Sequence, residues 1–153
     1  MNPNERSELY QQVILEHHRK PRNFKKLDNP THMAEGYNPL CGDHLIVYLH
    51  VNQDSIIDDV SFEGDGCAIS RASASMMTTS LKGKSTAEAK VLFEEFHQLI
   101  IGDLKPDKQK HRLEKLAVFS GIWQYPARVK CASLSWHTMK GALDKKTRPV
   151  STE

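Results

Sequence analysis

Cysteine is scarce in this chain, with three in 153 residues. Three thiols cannot close the paired disulfide framework of a small secreted domain, and none is spaced as a C-x-x-C knuckle. Long apolar runs are missing too. No stretch approaches the roughly 18 apolar residues that suggest a membrane-spanning helix. The opening MNPNERSELYQQ has no apolar signal core. Nor is there a surplus of one charge: 21 Lys and Arg face 19 Asp and Glu, for a formal net charge of +2. That balance argues against a nucleic-acid binder and against attraction to a membrane surface. No internal repeat and no low-complexity tract is visible. The expectation is a reduced, cytosolic protein whose few thiols serve as core filler, in catalysis or as metal ligands.

What is present is ordinary globular material, 39% hydrophobic and 26% charged, enough at this length to bury a core without staples. Ser7 reads as the N-cap of a first helix over 7–19, with Leu9, Tyr10, Val13, Ile14 and His17 at helical spacing and Pro21 as the stop. Residues 21–40 read as a long connection with a short extended piece near 31–36. Alternating residues predict strands over 44–51 and 56–62, joined by a turn into an antiparallel hairpin, with Ile56, Val60 and Phe62 facing one way. A small-residue helix follows over 69–82, ending at Gly83. Ser85 and Glu88 form a capping box for a helix that Gly102 stops. Residues 103–112 read as a solvated excursion, 112–120 as a short helix, 121–130 as a loop and 133–144 as a last helix. The fold class is α+β: a small antiparallel sheet of about three strands with helices packed on one face. It forms a single domain over 1–145, followed by a polar C-terminal tail, 146–153.

The cysteines fall at element boundaries. Cys41 lies in the turn before the first predicted strand. Cys67 follows Gly64-Asp65-Gly66, and Cys131 precedes the last predicted helix. Both Cys67 and Cys131 are expected at helix N-termini, where free N–H groups favour thiolate. Asp43 lies two residues after Cys41, and in an extended segment i and i+2 project to one side. Three thiolates and a carboxylate would suit tetrahedral zinc, with sulfur at about 2.3 Å. Four anionic donors around one divalent ion leave a negative site that wants cations, which Arg128 and Lys130 could supply. Spacing alone leaves the bland alternative open: widely separated cysteines also serve as core residues, and Gly-Asp-Gly as a plain turn.

Three segments carry a more specific signal. NPLCGD at 38–43, FEGDGCAISRASASMM at 62–77 and RVKCASLSWHTM at 128–139 resemble, in order, the cysteine segments of the IscU/NifU-like scaffold family. The likeness begins at LYQQVILEHHRKPRNF and runs to about residue 144. It is nearest the SufU branch, because the stretch from Gly102 to Cys131 is long and because Lys130 stands where IscU-type proteins carry a histidine. The resemblance implies zinc held by Cys41, Asp43, Cys67 and Cys131. It implies sulfur accepted on Cys41 from a pyridoxal-phosphate cysteine desulfurase of the SufS type, and Arg128 engaging that desulfurase. It further implies that a desulfurase histidine displaces Cys41 from zinc, and that the sulfur passes on to SufBCD-type assembly proteins. Two rival readings remain: a scaffold holding a nascent [2Fe–2S] cluster on the same residues, and a non-catalytic zinc-stabilised module.

Other conspicuous residues read as structural. His44 should point away from Asp43 as the next strand residue. His17, His18, His97 and His137 read as packing or surface residues, and Met76, Met77 and Met139 as core. Trp123 and Tyr125 are open between packing inward and forming a partner patch.

Overall fold

The computed structural model describes residues 3–145 and 148–152. Its elements are α1 (Pro3–Arg19), β1 (His32–Asn38), β2 (Asp43–Val51), β3 (Ile57–Asp65), α2 (Ala68–Leu81), α3 (Thr86–Ile100), a 3₁₀ segment (Glu114–Gln124), α4 (Pro126–Leu143) and β4 (Val150–Ser151). The strands form one sheet in the order β3-β2-β1-β4. β2 pairs antiparallel with β3, as the predicted hairpin requires, and also with β1. The α+β class stands, with a four-stranded sheet in place of three.

Alternation on β2 buries Leu45, Val47 and Leu49 on the helical side, with Val60 and Phe62 beside them on β3. The register slips between His50 and Val51, and Ile57 rather than Ile56 becomes the fully buried residue. α4 lies directly across β1. A Cβ at Gly36 would fall 1.9 Å from Thr138 Oγ1 and 3.1 Å from Leu134 Cδ1, so only glycine permits that approach. Trp136 is buried and stacks on Phe96 of α3 at 4.7 Å. The predicted Ser85–Glu88 capping box is present, with Glu88 N–H donating to Ser85 Oγ at 3.1 Å.

Several expectations need correction. α1 begins at Pro3, so Ser7 lies inside the helix instead of capping it. The 21–40 connection contains a full seven-residue strand, β1. The short helix predicted over 112–120 is 3₁₀ and runs on to Gln124. The loop predicted over 121–130 does not exist as such, because α4 starts at Pro126. Proline fits the first helical turn, where its missing N–H costs nothing, and placing Pro126 in a loop shortened the helix by two turns. Cys131 is therefore inside α4, not at its N-terminus. The polar tail is not wholly a tail. Residues 146, 147 and 153 lie outside the described residues, but Val150 and Ser151 pair parallel with Gly36 and Tyr37 of β1. Gly141 makes room for this strand: a Cβ there would meet Val150 Cγ2 at 2.7 Å. Among the described residues no helix is long and apolar enough to cross a membrane.

Candidate metal centre

The β1–β2 turn sits under the start of α4 and beside the start of α2, and three chain segments meet there. Asn38 O accepts from the N–H groups of Cys41 (3.3 Å) and Gly42 (2.9 Å). Gly42 takes φ +73°, a left-handed conformation that glycine adopts freely. This tight turn leaves the Cys41 side chain exposed and returns the chain inward, so that Asp43, the first residue of β2, is 1% exposed.

β3 delivers Cys67. At Gly64 (φ +132°) a Cβ would lie 2.1 Å from His44 O, and at Gly66 one would lie 3.1 Å from Asp43 Oδ1. Gly-Asp-Gly is therefore more than a turn, because its two glycines allow the β3 end to press against the β2 start. Cys67 is the N-cap of α2, its Sγ accepting from Ser70 N–H at 3.4 Å. Its own N–H donates to Asp43 Oδ1 at 2.8 Å, and its Sγ lies 4.0 Å from Asp43 Oδ2. α4 delivers Cys131 from above, 3% exposed, with its thiol 3.3 Å from Cys41 Sγ.

The donor atoms of Cys41, Asp43 and Cys131 all lie within 4.8 Å of one another. Cys67 lies outside that trio and adjoins it through Asp43, whose Oδ2 is 4.0 Å from its Sγ. Three sulfurs and a carboxylate, clustered without a disulfide, are a donor set that fits zinc or an iron–sulfur cluster. The field among the thiols is uneven. Hydrogen bonding from Cys131 brings Cys67 down to about 7, and the Ser70 backbone N–H assists against the opposing effect of burial. Cys131 is pushed up, first by that same bond to Cys67 and then by burial and its contact with Cys41. Without metal, the same bond favours the thiolate on Cys67 and the proton on Cys131.

Arg128 stands on the first turns of α4, its guanidinium 4.5 Å from the centre of the Tyr125 ring and its charge close enough to act on the Tyr10 phenol. Burial raises the Tyr10 phenol, while Arg128 pulls it the other way. Arg128 also lines a half-open groove of about 1050 Å³ between α1, the 102–108 loop and the 3₁₀ segment. Trp123 and Tyr125 are exposed at this groove and Lys105 lies over the Trp123 ring, so they belong to a surface patch rather than the core. Leu104 is the buried exception in the otherwise largely exposed 103–112 stretch. His44 faces the other side of the sheet, stacked on Tyr37 at 4.5 Å with its Nε2 3.0 Å from Glu35 Oε2.

Two residues at the centre escaped sequence reasoning. Asn38 is fully buried, and its side-chain amide reaches Asp43 (3.0 Å) and Cys131 (3.5 Å). Ser70 is also fully buried, and its hydroxyl has no hydrogen-bond partner among the described residues. Asn38 opens the NPLCGD segment, so its signal was adjacent to the cysteine. Nothing in the sequence marked Ser70 apart from the other serines of α2.

A family model for the NifU-like N terminal domain matches residues 9–132. The chain is 39% identical over 141 residues to the iron–sulfur cluster assembly scaffold protein IscU of Thermotoga maritima, covering 92% of this chain and 96% of that protein. It is 38% identical over 137 residues to the zinc-dependent sulfurtransferase SufU of Bacillus subtilis, covering 90% of each. Among solved structures it is similar to a proposed iron–sulfur cluster assembly scaffold protein for the SUF system from Fervidobacterium islandicum. That match has a TM-score of 0.78 and 30% identity, and covers 89% of this chain and 97% of the other. A NifU-like N-terminal structure from Brucella abortus matches in fold alone, with a TM-score of 0.79 at 22% identity. By sequence, fold and the convergence of its three cysteine segments, the chain belongs to the NifU-like N-terminal domain family of iron–sulfur cluster assembly proteins, together with IscU and SufU.

Proposed function

We propose that this chain is a zinc-dependent sulfurtransferase that takes persulfide sulfur from a cysteine desulfurase on Cys41 and passes it to iron–sulfur cluster assembly. The observation that carries this reading is the unequal exposure of the donors. Cys41 is exposed on a turn, whereas Cys67 is half-buried and Cys131 and Asp43 are buried. A thiol that must meet a partner's persulfide needs reach, and donors that keep the site together need fixed partners.

Cys41, Asp43, Cys67 and Cys131 would hold the zinc. When bound, it keeps the sulfurs as thiolates at neutral pH and stabilises the folded site. In transfer, the Cys41 thiolate attacks the outer sulfur of the donor's persulfide. A new S–S bond forms on Cys41, the donor's S–S bond breaks, and the electron pair leaves with the donor cysteine as thiolate. Sulfur moves without net oxidation. Cys67 N–H holds Asp43 Oδ1 throughout, and the α2 N-terminus holds Cys67.

The donor is proposed to be a pyridoxal-phosphate desulfurase of the SufS type, docking over the groove beside Arg128. Lys105, Lys108 and Arg128 line that groove against the single acid Asp107. The partner segment is therefore acidic, with an apolar side chain for the exposed surface of Leu15, Trp123 and Tyr125. SufBCD-type assembly proteins are the proposed onward acceptors.

Incubation with desulfurase and cysteine, followed by intact-mass and peptide analysis, should find added sulfur on Cys41. Cys41→Ala should abolish transfer while retaining part of its zinc. Persulfide found only on Cys67 or Cys131 would overturn the assignment. The second reading is a scaffold for a nascent cluster on the same residues, favoured by the equal closeness of the Thermotoga relative. It predicts brown protein containing iron and sulfide on anaerobic isolation, where the sulfurtransferase predicts colourless protein containing zinc.

A further inference from the structure

Asn38 ends β1 with two separate tasks. Its backbone carbonyl makes the turn by accepting from Cys41 and Gly42. Its side chain is not needed for that turn, yet it is 0% exposed and fully engaged. One amide nitrogen donates to Asp43 Oδ2 at 3.0 Å and reaches Cys131 Sγ at 3.5 Å. The amide oxygen accepts from Thr152 Oγ1 at 2.9 Å. Chemistry fixes this orientation. An ionised carboxylate only accepts, so the NH₂ end must face Asp43, and the oxygen is left for a hydroxyl donor.

We propose that Asn38 is a positioning residue of the metal centre and that Thr152, the residue after β4, holds it in place. The relay Thr152–Asn38 thereby orients two donors at once, the Asp43 carboxylate and the Cys131 sulfur. It rests on reading Cys41, Asp43, Cys67 and Cys131 as metal donors. Asp43 is clamped on both oxygens, by Cys67 N–H on one and by Asn38 on the other. Thr152 is itself docked: its N–H donates to Tyr37 O at 3.1 Å, immediately after the β4–β1 pairing. The preceding Val150 fits against the bare Cα of Gly141 on α4, the helix that carries Cys131. The C-terminal segment thus braces the turn and the helix that supply the donors. Outer partners of this kind typically change metal affinity about 10–100-fold when removed.

The test is zinc affinity by competition with a chromophoric chelator, together with the absorption bands of the cobalt(II)-substituted full chain. Thr152→Val keeps the shape of a half-exposed side chain and removes only its hydroxyl. It should weaken zinc about 10-fold and shift the cobalt bands, and Asn38→Ala should do so by up to about 100-fold. Thr152→Ser restores the hydroxyl and should match wild type in both readouts. Wild-type affinity and unshifted bands in Thr152→Val would overturn the role of Thr152, even if Asn38→Ala lost zinc through misfolding. The same result in folded Asn38→Ala would overturn the whole relay. A wild-type chain that bound neither metal would instead overturn the metal reading on which the relay rests.

Discussion

At the residue scale, each donor is where it is because a neighbour leaves it no alternative. Asp43 is the clearest case: it is buried beside three sulfurs and receives Cys67 N–H and the Asn38 amide. Asp43→Ala should therefore weaken zinc more than it weakens the fold. Metal content by atomic emission should fall below one ion per chain, while the metal-free protein melts near wild type. Much of this was legible in advance. NPLCGD put Cys41 and Asp43 in one segment, but they converge through the left-handed turn at Gly42 (φ +73°) and not through the extended geometry expected there; strand alternation begins only at Asp43. The same alternation sent His44 to the opposite face, where it stacks on Tyr37. Asn38 was not legible as a partner of Cys131, 93 positions away, because no local periodicity reports a contact at that separation.

At the element scale, local chemistry decided boundaries well where a cap was present. Ser85 and Glu88 satisfy each other's backbone groups reciprocally, and α3 begins where they predict. Ser85→Ala should cost about 1 kcal/mol, read as a lower denaturant midpoint with an unchanged slope. Pro126 misled because the same residue both stops and starts helices. The consequence is functional. With α4 starting at Pro126, Arg128 is in its first turn and is held against Tyr125, instead of moving with a loop. Under the proposed docking, Arg128→Glu should sharply reduce stimulation of desulfurase turnover while zinc content stays at wild type. An unchanged stimulation would remove Arg128 from the interface.

At the scale of the whole molecule, stability should depend on pH through His17. Its Nδ1 lies 2.7 Å from Ser75 Oγ across the α1–α2 contact. Burial lowers its pKa and the nearby Arg22 adds to this, with Glu16 opposing. A histidine whose folded pKa lies below its unfolded value binds fewer protons when folded, so stability rises with pH across that window. The contribution is complete above about pH 6.5 and is lost as pH falls below it. Metal-free wild type should lose more melting temperature between pH 7.5 and 5.5 than His17→Gln does. Equal losses would show that His17 does not drive the acid sensitivity.

The sequence by itself determined the α+β class, the β2–β3 hairpin, the capping box and the three cysteine segments. Each of these is written in short-range periodicity or in a contiguous motif. Tertiary structure alone decided that β4 adds a parallel edge to the sheet. It also decided that Cys131 enters the centre from inside a helix, and that Thr152 and Asn38 meet beneath Asp43. Two paired residues in a polar tail carry too little pattern to read. Their pairing becomes favourable only once β1 offers an open edge and Gly141 leaves a space on α4.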